Sequence, residues 1–149
     1  MILSFFFPQI RFAMKSRLLI VLLLWSGILL TAQESAYSTK TNIPYYPEAV
    51  RSTDEYLAER CVLDVYYPEN KEGFPTVVWF HGGGLTGGNK HIPDALMDKG
   101  MAVVAVNYRL YPKIKAPVYI EDAAASVAWV IKHIEDYGGD PELVFLSNL

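Results

Sequence analysis

A histidine and three consecutive glycines follow an apolar run in the stretch VVWFHGGGLTGGNK, residues 77–90. The apolar run predicts a buried strand, and the glycines predict a tight turn directly after it. In an α/β sheet such a turn lies at the carboxyl end of the strand, where ligands bind. Three chemistries use a glycine-rich turn there: phosphate binding, dinucleotide binding, and stabilisation of an oxyanion during acyl transfer.

Phosphate binding by a Walker A loop needs a glycine, four further residues, then glycine, lysine, and serine or threonine. Residues 83–88 have the glycine spacing, but Asn89 stands in the lysine position and His91 follows Lys90. The loop is therefore not a Walker A motif.

Dinucleotide binding is suggested by the spacing of Gly82, Gly84 and Gly87, which matches the G-x-G-x-x-G fingerprint. That fingerprint also requires a helix that starts within the motif and an acidic residue at the end of the next strand. Here the predicted helix starts only at Pro93, and the next strand ends in Asn107. A nucleotide-binding half-sheet is therefore only a remote alternative.

Acyl transfer passes through a tetrahedral intermediate whose negatively charged oxygen must be stabilised. Backbone N–H groups act as fixed dipoles for this purpose, and glycine lets the substrate oxygen approach because it has no side chain. His81-Gly82-Gly83-Gly84 has the composition of such a loop, in the place after a buried strand where lipases and esterases carry it.

The elements that must position this loop alternate between strands and helices along the chain. Strands are predicted over residues 61–67, 76–80, 101–106 and 143–146, and helices over residues 93–99 and 121–137. This order predicts an α/β fold with a parallel sheet. Residues 33–60 show little periodicity and predict an irregular lead-in. The second helix has an apolar stripe of Ala124, Val127, Ala128, Ile131 and Ile134, with Gly138 and Gly139 as its stop.

Four blocks of sequence resemble the α/β-hydrolase superfamily, specifically the secreted carboxylesterases of the hormone-sensitive-lipase and feruloyl-esterase-like kind. The blocks occur in the order expected of that family, between about residues 61 and 147. They are His81–Gly84 with Thr86–Lys90 behind it, Val106–Leu110, Glu121–Val130 and Gly139–Ser147. Together they are far more specific than any one block alone.

The resemblance implies roles for six residues. The N–H groups of Gly83 and Gly84 would form part of the oxyanion hole, with His81 and Gly82 as structural support of the loop. Arg109 and Asp122 would make structural hydrogen bonds or ion pairs behind the site. His81 is not expected to be the catalytic base, because in this family that histidine follows the serine and the acid. The resemblance implies no cofactor and no metal.

The nucleophile of the family stands in a G-x-S-x-G turn directly after the strand equivalent to residues 143–147. This chain instead reads Ser147-Asn148-Leu149. We therefore expect an N-terminal half of an α/β-hydrolase domain, residues 61–149, truncated before the nucleophile elbow and inactive by itself. The catalytic serine, acid and histidine are expected to be absent, and Ser147 is not expected to replace the serine because no glycines surround it.

The N-terminal 32 residues predict a secretory signal peptide. Two basic residues, Lys15 and Arg17, precede an apolar stretch that runs to Leu30, and small residues follow at Thr31 and Ala32. The signal is complete from Met14 onward, so Met14 is an alternative start of the protein. The expected location is secreted or periplasmic, with no stable membrane span after cleavage, and an uncleaved membrane anchor is the alternative.

The composition limits the remaining function classes. The chain has 149 residues and a net charge of -3, without a basic cluster beyond the first twenty residues, so a nucleic-acid partner is not expected. Cys61 is predicted to be a buried apolar side chain, and His91 and His133 are predicted to be surface residues. The expected ligand of the whole protein is a small-molecule or polysaccharide-linked ester. The alternative is a non-catalytic secreted domain that binds a ligand or a partner chain.

Overall fold

The computed structural model describes residues 36–148, which form a mixed five-stranded sheet in the order β1-β2-β4-β3-β5. The predicted signal peptide lies outside these residues. The strands are β1 (Tyr37–Pro44), β2 (Val62–Pro68), β3 (Phe74–Phe80), β4 (Ala102–Val106) and β5 (Gly139–Asn148). Strands β3, β4 and β5 are parallel, whereas β1 and β2 run antiparallel to their neighbours. The expected parallel sheet is therefore confined to three strands.

Three helices accompany the sheet: α1 (Glu48–Arg51), α2 (Glu55–Arg60) and α3 (Val118–His133). A 3-10 turn, Ile134–Tyr137, extends α3 to Gly138, whose left-handed φ of 88° ends it at the glycine predicted as its stop. The helix predicted over residues 93–99 is only a single 3-10 turn, Asp94–Leu96. Asp98 and Gly100 both have positive φ angles, which an α-helix cannot continue through. Within residues 36–148, no helix is long and apolar enough to cross a membrane.

The prediction of an irregular lead-in is wrong for residues 36–60, which contain β1, α1 and α2. Strand β1 lies at the edge of the sheet, so its middle residues face solvent and need no apolar pattern. The ring of Tyr37 stacks on Tyr66 of β2 with 4.5 Å between centroids. Asp54 caps α2 by accepting a hydrogen bond from the N–H of Leu57 at 2.9 Å. Hydrophobic periodicity detects neither an aromatic contact between two strands nor a polar cap of a helix.

The core lies between the sheet and α3. Strand β4 is the central strand, and all five of its residues are fully buried, which explains its uninterrupted apolar sequence. Cys61 is buried as predicted. The largest buried cluster contains residues from β2, β3, β4 and α3, namely Leu63, Val65, Phe74, Val78, Val104, Val106, Val130 and Ile134.

The apolar stripe predicted for α3 is wrong in most of its members. The helix buries Asp122, Ser126 and Val130. Ile134 of the predicted stripe is buried in the turn that follows, whereas Ala124, Ala128 and Ile131 are exposed. The buried face is shifted because it contains Asp122, whose carboxylate is paired with the guanidinium of Arg109. Hydropathy alone assigns both charged side chains to the surface.

Strand β5 forms the other edge of the sheet and is paired only with β3. The strand predicted over residues 143–146 lies within β5. Its apolar residues Leu143, Phe145 and Leu146 are exposed, at 39%, 55% and 62%.

Candidate active site

The glycine-rich loop starts directly after β3, beside the residues that follow β4. Phe80 of β3 is paired in register with Val106 of β4, so His81 and Asn107 leave the sheet side by side. Parallel pairing therefore places the loop and the Asn107–Leu110 segment together at the carboxyl ends of their strands, as the sequence predicted. No helix starts within the glycines, since the first helical residue after them is Asp94. This arrangement lacks the helix that a dinucleotide fingerprint requires.

Two glycines of the loop cannot be replaced by another residue without a clash. A Cβ atom on Gly83, whose φ is 122°, would lie 2.2 Å from the carbonyl oxygen of Gly87. A Cβ atom on Gly88, whose φ is 103°, would lie 2.4 Å from both the carbonyl oxygen of Gly82 and Nδ1 of His81. The backbone conformation and the close packing thus both demand glycine.

Hydrogen bonds accepted by the carbonyl groups of Gly83 and Leu85 hold the turn, and they do not use the N–H groups of Gly83 and Gly84. Thr86 donates to the carbonyl of Gly83 from both its N–H and its hydroxyl, each at 3.1 Å. The carbonyl of Leu85 accepts from the N–H of Tyr111 at 2.9 Å. Within residues 36–148, the N–H groups of Gly83 and Gly84 donate to no backbone or side-chain acceptor. Both glycines are exposed.

His81 lies beneath this loop and contacts it directly. Its ring is buried, stacks on Tyr108 with 4.6 Å between centroids, and places Nδ1 2.8 Å from the carbonyl oxygen of Gly82. The hydroxyl of Tyr108 donates to the carbonyl of His81 at 2.8 Å. Burial lowers the pKa of His81 from its ordinary value, which favours the neutral ring at pH 7. These contacts are those expected of a residue that braces the loop.

Arg109 and Asp122 form a buried ion pair next to the site. Nη2 and Nε of Arg109 donate to Oδ1 and Oδ2 of Asp122 at 2.8 and 2.9 Å. The Arg109 backbone N–H adds a bond of 3.1 Å to Oδ2, and the Tyr46 hydroxyl donates to Oδ1 at 3.0 Å. Nη1 of Arg109 lies 2.9 Å from Asp54, the cap of α2. The hydrogen bonds to Asp122 raise the pKa of Arg109 further above its ordinary value.

A cleft of about 580 Å³ opens between the glycine loop, the first turn of α3 and the end of β5. Its walls are largely apolar or aromatic. The lining residues are Phe80, His81, Gly82, Gly84, Leu85, Tyr108, Tyr119, Ile120, Ala123, Leu146, Ser147 and Asn148. Tyr108 and Tyr119 line this cleft, whereas Tyr111 does not. Arg109 and Asp122 do not line this cleft.

Sequence reasoning missed several polar residues that fix the far end of the loop. Oδ1 of Asn107 accepts from the N–H of Lys90 at 2.6 Å, and Nζ of Lys90 lies 2.6 Å from Oδ1 of Asp64 in β2. Arg60 at the end of α2 donates to the carbonyl of Gly88 at 3.1 Å. In the sequence these residues are recognisable only as polar residues within or beside predicted strands and in the loop, and polarity does not identify a partner.

The other two histidines are distant from any cluster of ligands. The ring of His91 meets Trp79 edge to face with 6.3 Å between centroids, and Nδ1 of His133 lies 3.5 Å from Asp136. Among residues 36–148 there is no group of three or more His, Cys, Asp or Glu side chains that could hold a metal ion.

Comparison with known proteins identifies relatives among esterases. The chain is 34% identical over 89 residues to a probable isoprenylcysteine alpha-carbonyl methylesterase of Oryza sativa, with 56% of this chain and 21% of that protein covered. It is 37% identical over 90 residues to the carboxylesterase NlhH of Mycobacterium tuberculosis, with 56% of this chain and 28% of that protein covered. The chain thus spans less than a third of the length of either curated relative.

Solved structures agree in fold. The crystal structure of esterase B from Lactobacillus rhamnosis matches with a TM-score of 0.62 and 26% identity, covering 90% of this chain and 44% of that one. A truncated carbohydrate esterase from gut microbiota matches with a TM-score of 0.63 and 22% identity, covering 79% of this chain and 41% of that one, which shows the fold alone. The BD-FAE family model matches residues 63–147, which is more than half of the chain. This protein therefore belongs to the BD-FAE family and shares the α/β-hydrolase fold of these esterases.

Proposed function

We propose that this chain provides the oxyanion-binding part of a serine esterase, with the N–H groups of Gly83 and Gly84 as the donors. The observation that carries the proposal is that Gly83 and Gly84 are exposed and that neither N–H has an acceptor within residues 36–148, while Gly84 lines the cleft. Free backbone donors beside a partly apolar cleft can stabilise the charge that develops on a carbonyl oxygen. The same loop lacks the lysine that a phosphate-binding loop requires and the helix that a dinucleotide fingerprint requires.

The proposed reaction of the whole protein is hydrolysis of a carboxylic ester. A serine hydroxyl adds to the ester carbonyl, its proton passes to a base, and the carbonyl electron pair moves onto the oxygen held by the loop. The tetrahedral intermediate collapses as the protonated alcohol leaves, and water then releases the acid from the serine. The serine, its base and the acid that orients the base would come from the part of the whole protein that this chain does not include.

Ser147 lines the cleft, yet we do not propose it as the nucleophile. It lies in the regular parallel ladder of β5, in register with Trp79 of β3. A nucleophile elbow instead holds its serine on a sharp turn flanked by glycines, and the neighbours of Ser147 are Leu146 and Asn148. The chain alone is therefore proposed to be inactive.

The proposed substrate is a small-molecule or polysaccharide-linked ester, and the proposed location is secreted or periplasmic. The aromatic and aliphatic walls of the cleft support an uncharged acyl group as the part bound there.

Export is supported by the basic residues, the apolar stretch and the small residues that precede Gln33 in that order. Fusion of residues 1–32 to alkaline phosphatase tests the location, since that enzyme is active only after export to an oxidising compartment. An inactive fusion in cells that export a reference signal would contradict it.

The activity is tested by comparing two polypeptides made from the same locus. One is the 149-residue chain, and the other is the longest product of the locus that reads beyond the codon of Leu149. Hydrolysis of p-nitrophenyl acetate above the buffer rate is expected from the longer polypeptide alone. If no polypeptide of the locus hydrolyses this ester, the esterase proposal is wrong.

A further inference from the structure

Arg60 joins three parts of the site through one guanidinium group. Nε donates to the carbonyl of Tyr108 at 3.2 Å, Nη1 to Oδ1 of Asn89 at 2.7 Å, and Nη2 to the carbonyl of Gly88 at 3.1 Å. Nη2 also lies 3.5 Å from Nε2 of His81. The planar fork of the guanidinium thus connects α2 with both ends of the glycine loop and with the segment after β4.

The hydrogen-bonding partners of His81 determine which of its ring nitrogens carries the proton. Nδ1 lies 2.8 Å from the carbonyl oxygen of Gly82, which can only accept, so Nδ1 must be protonated. Nε2 faces Arg60, which can only donate, so Nε2 must present its lone pair. Stacking on Tyr108 holds the plane of the ring. The surroundings therefore select one neutral tautomer.

This tautomer determines the direction of an oxyanion donor. The carbonyl of Gly82 and the N–H of Gly83 belong to one planar trans peptide, in which C=O and N–H point in opposite directions. When Nδ1–H of His81 holds that carbonyl, the N–H of Gly83 must point away from the buried ring. If this peptide rotated, the N–H of Gly83 would no longer point away from the buried ring of His81. The carbonyl oxygen of Gly82 would then point in that direction instead.

We propose that Arg60 is a positioning residue that keeps His81 in its Nδ1–H tautomer and thereby orients the N–H of Gly83. The inference rests on the proposed function, since that N–H is assigned there as an oxyanion donor. Three titratable or charged groups face His81 from the surrounding elements: Arg60 from α2, Tyr108 after β4, and His91 after the glycine loop. Burial lowers the pKa of His81 most, the hydrogen bond to the Gly82 carbonyl opposes this effect, and the charges of Arg60 and His91 add to the lowering of the pKa.

The test is the tautomer of His81, observed by ¹⁵N NMR on the 149-residue chain with labelled histidine. His91→Gln and His133→Gln assign the three histidine signals. In the unsubstituted chain, Nδ1 is expected to be of the protonated type and Nε2 of the unprotonated type at pH 7. In Arg60→Met, the two tautomers are expected to mix and the pKa of His81 to rise towards its ordinary value.

Three further variants separate positioning from a general structural role. Arg60→Lys retains a cation that can donate to Nε2, so it is expected to restore the single tautomer. Arg51→Met removes an arginine whose ion pair is with Glu48 on α1, and it is expected to leave His81 unchanged. If Arg60→Met does not fold, Arg60→Gln takes its place, because its amide can offer either a donor or an acceptor and is expected to give mixed tautomers.

The inference is overturned if His81 carries its proton on Nε2 in the unsubstituted chain. It is also overturned if a folded Arg60→Met or Arg60→Gln chain retains the single Nδ1–H tautomer. Neither result depends on ester hydrolysis, so failure of the inference and failure of the proposed function are distinguishable.

Discussion

Arg109 holds Asp122 in a two-pronged ion pair, with Nη2–Oδ1 at 2.8 Å and Nε–Oδ2 at 2.9 Å, although Asp122 has no exposed surface. The pair connects the segment after β4 to the first turn of α3. Nη1 of Arg109 extends the connection to Asp54 at the start of α2. The guanidinium of Arg109 therefore connects three elements that border the candidate active site.

Loss of the Asp122 charge should destabilise the chain strongly. Asp122→Asn leaves Arg109 largely buried without its main counter-charge, and such a change costs about 3–5 kcal/mol of unfolding free energy. Urea denaturation followed by circular dichroism measures this loss. Glu48→Gln is the control, because Glu48 is 78% exposed and its pair with Arg51 should contribute less than about 1 kcal/mol. Equal losses in the two variants would contradict the structural role of Asp122.

Gly88 should tolerate no side chain, whereas Gly87 should accept one. Gly88→Ala combines a positive φ with contacts of 2.4 Å to two atoms, so we expect it to cost at least about 1–3 kcal/mol of stability. At Gly87 an added Cβ meets nothing within 4 Å and the φ angle is unstrained, so Gly87→Ala should stay within about 0.5 kcal/mol. Thermal denaturation of the two variants checks this. A Gly88→Ala chain as stable as Gly87→Ala would mean that the loop has another conformation.

The thiol of Cys61 should be unreactive in the folded chain. Burial is the main reason that its pKa is raised to about 12 from an ordinary value of 9.0, so little thiolate forms at pH 8. Dithionitrobenzoate should therefore label Cys61 only after urea unfolds the protein. The raised pKa also contributes stability that is fully present below pH 9 and is lost as the pH rises from 9 towards 12, because the unfolded chain releases its proton first. Rapid labelling of the native chain would show that Cys61 is accessible.

The exposed apolar residues of β5 should promote self-association. Phe145 and Leu146 are 55% and 62% exposed on an edge strand whose other side is unpaired within the described residues. Phe145→Lys introduces a charge of the kind that protects natural edges, so it should reduce concentration-dependent association in sedimentation velocity. Val50→Lys on α1 is the control at a distant exposed residue of 40% exposure. An equal effect of both lysines would indicate a change in overall charge instead of edge protection.

The sequence predicts the centre of this fold better than its edges. The apolar runs of β3 and β4 are recognisable because these strands are covered on both faces. Strand β1 was missed because an edge strand needs few apolar residues, and the buried face of α3 was misplaced because Asp122 is buried only through Arg109. Both errors concern residues whose environment depends on partners distant in the chain.

In the candidate site, too, local sequence patterns predict some residues and not those whose partners are distant in the chain. Its glycines and His81 are adjacent in sequence and form a motif, so they could be assigned from sequence and resemblance. Arg60 could not, because it reaches residues 21, 28, 29 and 48 positions away and no local pattern specifies those contacts. Long-range polar contacts of this kind become visible only in the folded chain.

Steady-state kinetics on the longer product of the locus can test whether Gly83 and Gly84 provide the oxyanion donors of an esterase. Gly83→Ala would place a Cβ 2.2 Å from the Gly87 carbonyl and displace the donor, so kcat for p-nitrophenyl acetate should fall by about 10²–10³, with KM changing much less. Gly87→Ala, in the same loop, should retain the kcat of the unsubstituted enzyme. Equal kcat values for Gly83→Ala and Gly87→Ala would contradict the claim.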